Sequence, residues 1–247
     1  MVKNILMIVV AAVGLMGKAS SGSAPYDFTR QRLFSGFDGK TCKIQPSVAT
    51  DGKGTVLMTW QNLLLTGSDV FYGESICRST DGGKTFSRPV DQKIFADTWE
   101  GKIRTAYYGN VLYSRKNGRW FGLGAAQRYE NDKKPMIVSP DGKPTLWPMF
   151  YTVDASRGEF TSRKPLPVPF AFNRAMPFGQ IVECEDGELL IPFYGNAFGK
   201  GEKYVCIIVR YRFSGDGELE VVRAGQPLED DTHARGICEP SLAKLGD

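Results

Sequence analysis

Cationic side chains recur at similar places along the sequence, each just before a strand-like run. Arg104 and Arg174 precede two such runs, and Arg235 precedes a third, with His233, the only histidine, two residues earlier. Guanidinium groups bind carboxylates through paired N–H donors, and histidine exchanges a proton near neutral pH. If the fold brings these segment starts together, they predict a site for an anionic or polyhydroxylated sugar.

Other kinds of site leave no pattern in the sequence. It contains no phosphate-cradling glycine loop, no nucleophilic serine motif and no zinc-ligand spacing. The net charge of +4 is spread along the chain, and Lys133-Lys134 is too short a basic run to indicate a nucleic-acid surface. We therefore predict no cofactor, no metal and no nucleic-acid partner.

The elements that would position these residues are strands. Apolar runs alternate with Gly/Asp turns and show no helical periodicity. The pattern of two hairpins recurs about every 60–70 residues, which is typical of propeller blades. We predict an all-β fold, a β-propeller of four-stranded antiparallel blades, with these blades at about 41–90, 104–162, 174–222 and a further start at 235–247. A small independent module is the alternative, but it would leave two long open edges.

One turn carries a specific motif. The stretch from Ser79 to Phe86 predicts a hairpin tip, with Asp81-Gly82-Gly83 supplying turn chemistry and Thr85 and Phe86 beginning the next strand. An ordinary Asp-Gly hairpin is the simpler interpretation. The matching residues resemble, position for position, the Asp-box of the sialidase superfamily: Ser79, Asp81, Gly83, Thr85 and Phe86.

This resemblance implies a sialidase-like propeller of six blades, of which residues 25–247 would supply about three. The chain would then be an N-terminal fragment. Family members are exo-acting glycoside hydrolases, so the default activity is that of an exo-α-sialidase acting on a glycan. Their active site lies at the mouth of the propeller and uses a tyrosine nucleophile.

The resemblance also implies site residues. Lys43 stands where the family has the first arginine of an Arg-Ile-Pro motif. Lysine lacks the planar guanidinium fork that binds a carboxylate through two hydrogen bonds. Asp69 is the only acid in the loop that carries the family's acid/base, and Phe71 and Tyr72 offer apolar cover. Glu239 matches the glutamate that assists the nucleophile. The nucleophile itself and the remaining arginines would lie beyond the end of the sequence.

Two other functions stay open. The Lys43 departure favours a non-catalytic propeller that binds a glycan or a protein. A polysaccharide lyase would use His233 or a tyrosine as base, with an arginine neutralising a uronate. Four aromatic residues are candidates for a sugar-stacking face, although core packing is the commoner role: Trp60, Trp99, Tyr107 and Tyr108.

Residues 1–24 have the pattern of a secretory signal. Lys3 precedes an apolar run from Ile5 to Met16, and small residues follow as far as Ala24. We expect cleavage and a secreted or periplasmic protein that leaves the membrane, with an uncleaved anchor as the alternative. The five cysteines cannot all pair within one chain, and one or two disulfides are possible.

Overall fold

A computed structural model describes residues 39–65, 69–131, 134–197 and 203–244. All of them belong to the compact unit Gln31–Asp247. The signal peptide predicted at 1–24 lies outside the described residues. Regular structure within these ranges consists of strands and one short 3-10 turn, Lys93–Phe95, which confirms the all-β prediction. None of the described residues forms a helix with the length and apolar character needed to span a membrane.

The first blade is a four-stranded antiparallel sheet. Its strands follow one another in sheet order β1-β2-β3-β4: Thr41–Thr50, Val56–Leu64, Phe71–Ser79 and Val90–Asp91. In β2, Val56, Leu57, Thr59, Trp60 and Gln61 are all buried. Both faces of this strand are therefore covered.

The tip between β3 and β4 is built around the carboxylate of Asp81. The Ser79 hydroxyl donates to it at 2.7 Å, and the Thr85 backbone N–H and hydroxyl donate at 2.9 and 2.6 Å. These hydrogen bonds hold the pKa of Asp81 below its usual range. Gly82 and Gly83 have φ angles of 76° and 89°, which side chains with a Cβ rarely adopt.

The fourth strand starts later than the sequence predicts. Thr85 and Phe86 do not begin it, because β4 pairs only from Val90. In the intervening segment Ser87 takes over the pairing: its N–H donates to the Arg78 carbonyl at 2.8 Å, and its hydroxyl accepts from the Arg78 N–H at 3.0 Å. Pro89 then has no N–H to extend the ladder.

The second and third blades follow. A short edge strand, β5 (Thr98–Glu100), pairs with the second blade, whose strands β6 to β9 are Ile103–Ser114, Arg119–Tyr129, Leu146–Asp154 and Glu159–Pro165. The third blade contains β10 to β14: Arg174–Pro177, Val182–Glu183, Leu189–Asn196, Val205–Phe213 and Leu219–Ala224. One parallel bridge, Arg174 with Leu146, joins the two blades into a ten-stranded sheet.

The apolar core lies between the blades. In β7, Phe121 and Leu123 pack toward the third blade, against residues such as Leu189 and Ile191. Ala126, on the other face of β7, packs with Leu57 and other residues of the first blade. The second blade is thus buried on both faces, as the middle member of a row of blades must be.

One glycine permits close approach within the second blade. A Cβ built on Gly124 would lie 1.9 Å from the Tyr108 carbonyl oxygen and 2.4 Å from the Cα of Gly109. No side chain fits at this position.

A carboxylate also ties the second blade to the third. Glu183 of β11 accepts hydrogen bonds from the Ser114 hydroxyl and, at 3.0 Å each, from the backbone N–H groups of Arg115 and Lys116. Ser114 is the last residue of β6, and Arg115 and Lys116 begin the turn after it. This contact, the Glu183 clasp, fixes the third blade against that turn through directional bonds as well as apolar packing.

Candidate active site

Tyr194, which the sequence analysis did not single out, is affected by the charges of three predicted site residues. The pKa of Tyr194 is raised, chiefly by burial and then by the nearby Glu239 carboxylate. The charges of Arg174 and Asp69 also act on its hydroxyl. Asp69 comes from the first blade, Arg174 from the third, and Glu239 from the segment that follows it. We call these four residues the Tyr194 cluster.

Aromatic rings support this cluster. The Tyr194 ring meets Phe178 and Tyr204 edge-on, at centroid distances of 5.6 and 5.4 Å. The Arg235 guanidinium lies over the Tyr204 ring, 5.9 Å from its centroid. An exposed cation and a half-buried phenol therefore stand at one end of the third blade.

The two proposed catalytic acids share an unusual backbone conformation. Asp69 and Glu239 have φ angles of 57° and 56°, and Gln45, two residues after Lys43, has 48°. These are the only non-glycine residues with positive φ in the described ranges. Left-handed backbone costs roughly 1–2 kcal/mol per residue, and such strain concentrates at functional sites.

The loop that carries Asp69 is anchored on the second blade. The Tyr129 hydroxyl donates to the Asp69 carbonyl oxygen at 2.7 Å and accepts from the Phe71 N–H at 3.2 Å. The Asp69 side chain itself is exposed. Burial raises the pKa of Tyr129, so its hydroxyl keeps its proton.

Arg104 does not reach the surface as the sequence analysis expects. Only 1% of it is exposed, and its Nη1 donates to the Phe71 carbonyl at 2.9 Å and to Asp97 at 2.8 Å. Its guanidinium lies between the rings of Tyr72 and Tyr129, at 4.5 and 4.1 Å. Its contacts are with the protein interior, because the fold places it inside strand β6 rather than ahead of it.

Arg174 is also largely internal, with 8% exposure. Its Nη1 donates to the Met136 carbonyl at 2.8 Å and its Nη2 to the Gln127 side-chain oxygen at 3.3 Å, while its Nε meets no hydrogen-bond acceptor among the described residues. Its charge lowers the pKa of Tyr194, against the larger effect of burial.

The remaining candidates are exposed. Lys43 bonds the Asn62 side chain across the first hairpin. The His233 side chain is 76% exposed, and its Nδ1 lies 2.5 Å from a carboxylate oxygen of Asp230 and 3.0 Å from the Thr232 hydroxyl. The His233 side chain is therefore held by its own loop, and within the described ranges none of its side-chain hydrogen bonds reaches the Tyr194 cluster.

The four aromatic candidates for a stacking face do not lie on one surface. Trp60 and Tyr108 are core residues. Tyr107 lies under the Arg163 guanidinium at 3.6 Å, and Trp99 is exposed on the edge strand β5. The aromatic rings at the site are instead those of Tyr194 and Tyr204.

A cavity of about 350 Å³ is lined in part by Tyr204, whose ring packs against Tyr194. Phe170, Phe172 and Phe193 form its apolar wall, and Asp231 stands at its rim. No group of three His, Cys, Asp or Glu side chains suited to a metal occurs among the described residues. All five cysteines fall in the described ranges, and all are free thiols.

Sequence analysis missed Tyr129 and Tyr194. Tyr129 is the last residue of β7, and Tyr194 lies near the end of β12. Each of these strands follows the first strand of its blade, which in the third blade is divided into β10 and β11. Position within the repeat was therefore the signal that could have identified them.

Comparisons with known proteins identify the fold. No family model and no curated protein sequence matches the chain. Solved structures do match: a Hadza microbial sialidase, Hz136, has a TM-score of 0.55 and 16% identity over 74% of this chain and 37% of that one. A leech intramolecular trans-sialidase complexed with 2,7-anhydro-Neu5Ac has a TM-score of 0.57 and 13% identity over 90% of this chain and 49% of its own. The chain has a sialidase-like fold and spans half or less of the length of these structures.

Proposed function

We propose that this protein is an exported, sialidase-like glycoside hydrolase that removes terminal sugars from glycans, with α-linked sialic acid as the first substrate to test. One observation carries the proposal. Asp69, Arg174 and Glu239 come from separate parts of the chain, their charges all shift the pKa of Tyr194, and the two acids among them share a left-handed backbone conformation. The fold supports it, and the signal-like residues 1–24 support export.

Each residue has a role in this proposal. The exposed Asp69 carboxyl protonates the oxygen of the departing group. Glu239 accepts the proton of the attacking nucleophile. The positive charges for the substrate come from Lys43 and Arg235, which are exposed, and from Arg174, which is largely buried.

The first test is release of free sialic acid from a sialylated reporter by the purified full-length protein. We expect Asp69→Asn and Glu239→Gln each to lower kcat by about 100- to 10,000-fold. Glu220→Gln, on the outer strand β14, serves as the matched control because its carboxylate is exposed and pairs with Arg212, to which the proposal gives no role. Absence of release by a folded wild-type protein would reject the sialidase version.

A second function is favoured by the buried arginines. Arg104 and Arg174 already donate to groups of the protein, and Lys43 has no planar fork. A propeller that binds a glycan without cleaving it would need fewer free guanidinium groups. Saturable binding of sialyllactose with no released sugar, unaffected by Asp69→Asn, would support this function.

Export has its own test. The N-terminus of protein collected outside the cytoplasm is expected to lie near residue 25, after the small residues that end at Ala24. An intact Met1 on the exported protein would instead indicate an uncleaved anchor.

A further inference from the structure

The loop that carries Asp69 is held from outside its own blade. Tyr129, the last residue of β7, uses one hydroxyl to donate to the Asp69 carbonyl and to accept from the Phe71 N–H. These two bonds bracket Val70, which is fully buried. The backbone on both sides of Val70 is therefore fixed to the second blade.

Tyr129 is itself held firmly. It is fully buried, and the Arg104 guanidinium lies 4.1 Å from its ring centroid. The same guanidinium donates to the Phe71 carbonyl at 2.9 Å and to the Asp97 carboxylate at 2.8 Å. Cation–π contact and charge-assisted bonds thus lock the ring that holds the loop.

The conformation held in this way is a strained one. Asp69 has a φ of 57°, and a left-handed non-glycine residue persists where its surroundings determine it more than once. Three hydrogen bonds, from Tyr129 and Arg104 to the backbone at Asp69 and Phe71, hold Asp69 in this conformation. Without them the backbone at Asp69 can relax, and we expect its carboxyl to lose its fixed position.

We propose that Tyr129 is a positioning residue: its hydroxyl, fixed by Arg104, holds the Asp69 backbone and so sets the position of the Asp69 carboxyl within the Tyr194 cluster. The inference rests on the proposed function, in which Asp69 is the acid. It assigns Arg104 to the support of this loop rather than to contact with substrate. The position of a catalytic group on the first blade would then depend on the second blade.

The test compares two phenol deletions. Tyr129→Phe keeps the ring and removes both bonds, and we expect kcat to fall by about 10- to 100-fold with KM within about twofold. Tyr211→Phe is the matched control, because that phenol is also fully buried and donates to the Pro167 carbonyl at 2.7 Å, in the third blade. Both variants should lose comparable stability, but only the first should lose kcat.

A double variant separates positioning from general damage. If Tyr129 acts through Asp69, adding Tyr129→Phe to Asp69→Asn should leave kcat where Asp69→Asn alone puts it. Independent, multiplying losses would overturn the inference. So would an unchanged kcat in Tyr129→Phe, or an equal loss in Tyr211→Phe.

A readout without activity keeps this result distinct from failure of the proposed function. Hydrogen exchange of the Phe71 amide should quicken in Tyr129→Phe and stay unchanged in Tyr211→Phe. If the wild type cleaves no glycan, the proposed function fails while the exchange result still decides whether Tyr129 holds the loop. Unchanged exchange in Tyr129→Phe would overturn the inference by itself.

Discussion

Glu74 provides the sharpest prediction about stability. It is 1% exposed between the first and second blades, and one carboxyl oxygen accepts from the Gly109 N–H at 2.6 Å. Among the described residues, no hydrogen bond of normal geometry reaches its other oxygen or the buried side-chain oxygens of Gln61 and Thr59 on the same face of the sheet. Burial raises the pKa of Glu74 from 4.5 to about 8, against the smaller, lowering effects of the Gly109 bond and of the nearby Thr59 side chain.

The direction in which stability changes with pH follows from proton binding by Glu74. Between pH 4.5 and about 8 the unfolded chain releases the Glu74 proton while the native protein keeps it. Stability is therefore full below pH 4.5, falls as the pH rises, and levels off above pH 8. At about 1.4 kcal/mol per pKa unit, the complete fall amounts to about 5 kcal/mol.

The perturbation is Glu74→Gln, which keeps the shape and stays neutral. Its side-chain amide can accept a hydrogen bond from the Gly109 N–H and donate one to the side-chain oxygen of Gln61 or Thr59. We expect the variant to match the wild type within about 1 kcal/mol at pH 5, and to exceed it by about 3–5 kcal/mol at pH 8. Urea unfolding at pH 5, 6, 7 and 8 measures both.

The control is Glu220→Gln, whose exposed carboxylate should leave the pH profile of unfolding unchanged. Parallel profiles for the wild type and Glu74→Gln would refute the reasoning. They would mean that Glu74 ionises in the native protein as readily as in the unfolded chain.

Further predictions concern the turn, the close contact and the core. Asp81→Asn should lower the urea midpoint at neutral pH, because the hydrogen bonds that lower the pKa of Asp81 stabilise its ionised form. As the pH falls below 3.8 the wild-type carboxylate is protonated, and the difference from the wild type should close. Gly124→Ala should yield no folded soluble protein because its Cβ meets backbone, whereas Gly215→Ala, with open space around it, should express normally. Leu189→Ala, fully buried between the second and third blades, should lower the unfolding free energy by about 2–5 kcal/mol in the same urea assay.

The sequence predicted what depends on neighbours along the chain. The Asp81 turn is closed by residues two and four positions away, so its residue types were enough to identify it. The repeat of two hairpins, and with it the all-β propeller fold, follows from the same short-range signals. The late start of β4 escaped prediction because Ser87 pairs with Arg78 without forming a regular strand.

What could not be predicted depends on contacts between blades. Glu74 is buried because its partner across the sheet, Gln61, and the facing Gly109 close around it. Strand β3 is covered on both faces, so its sequence has no polar side to reveal a buried acid. Arg104 was expected at the mouth for the same reason: only the fold shows Tyr72 and Tyr129 enclosing it.

The Glu183 clasp has a consequence for how the protein melts. In a row of repeats, cooperativity comes from the free energy that each unit gains from its nearest neighbour. A carboxylate that satisfies three donors of the adjoining unit loses all three at once when either unit opens. The two units should therefore melt in a single calorimetric transition, and Glu183→Ala, which leaves the apolar core between them, should broaden that transition.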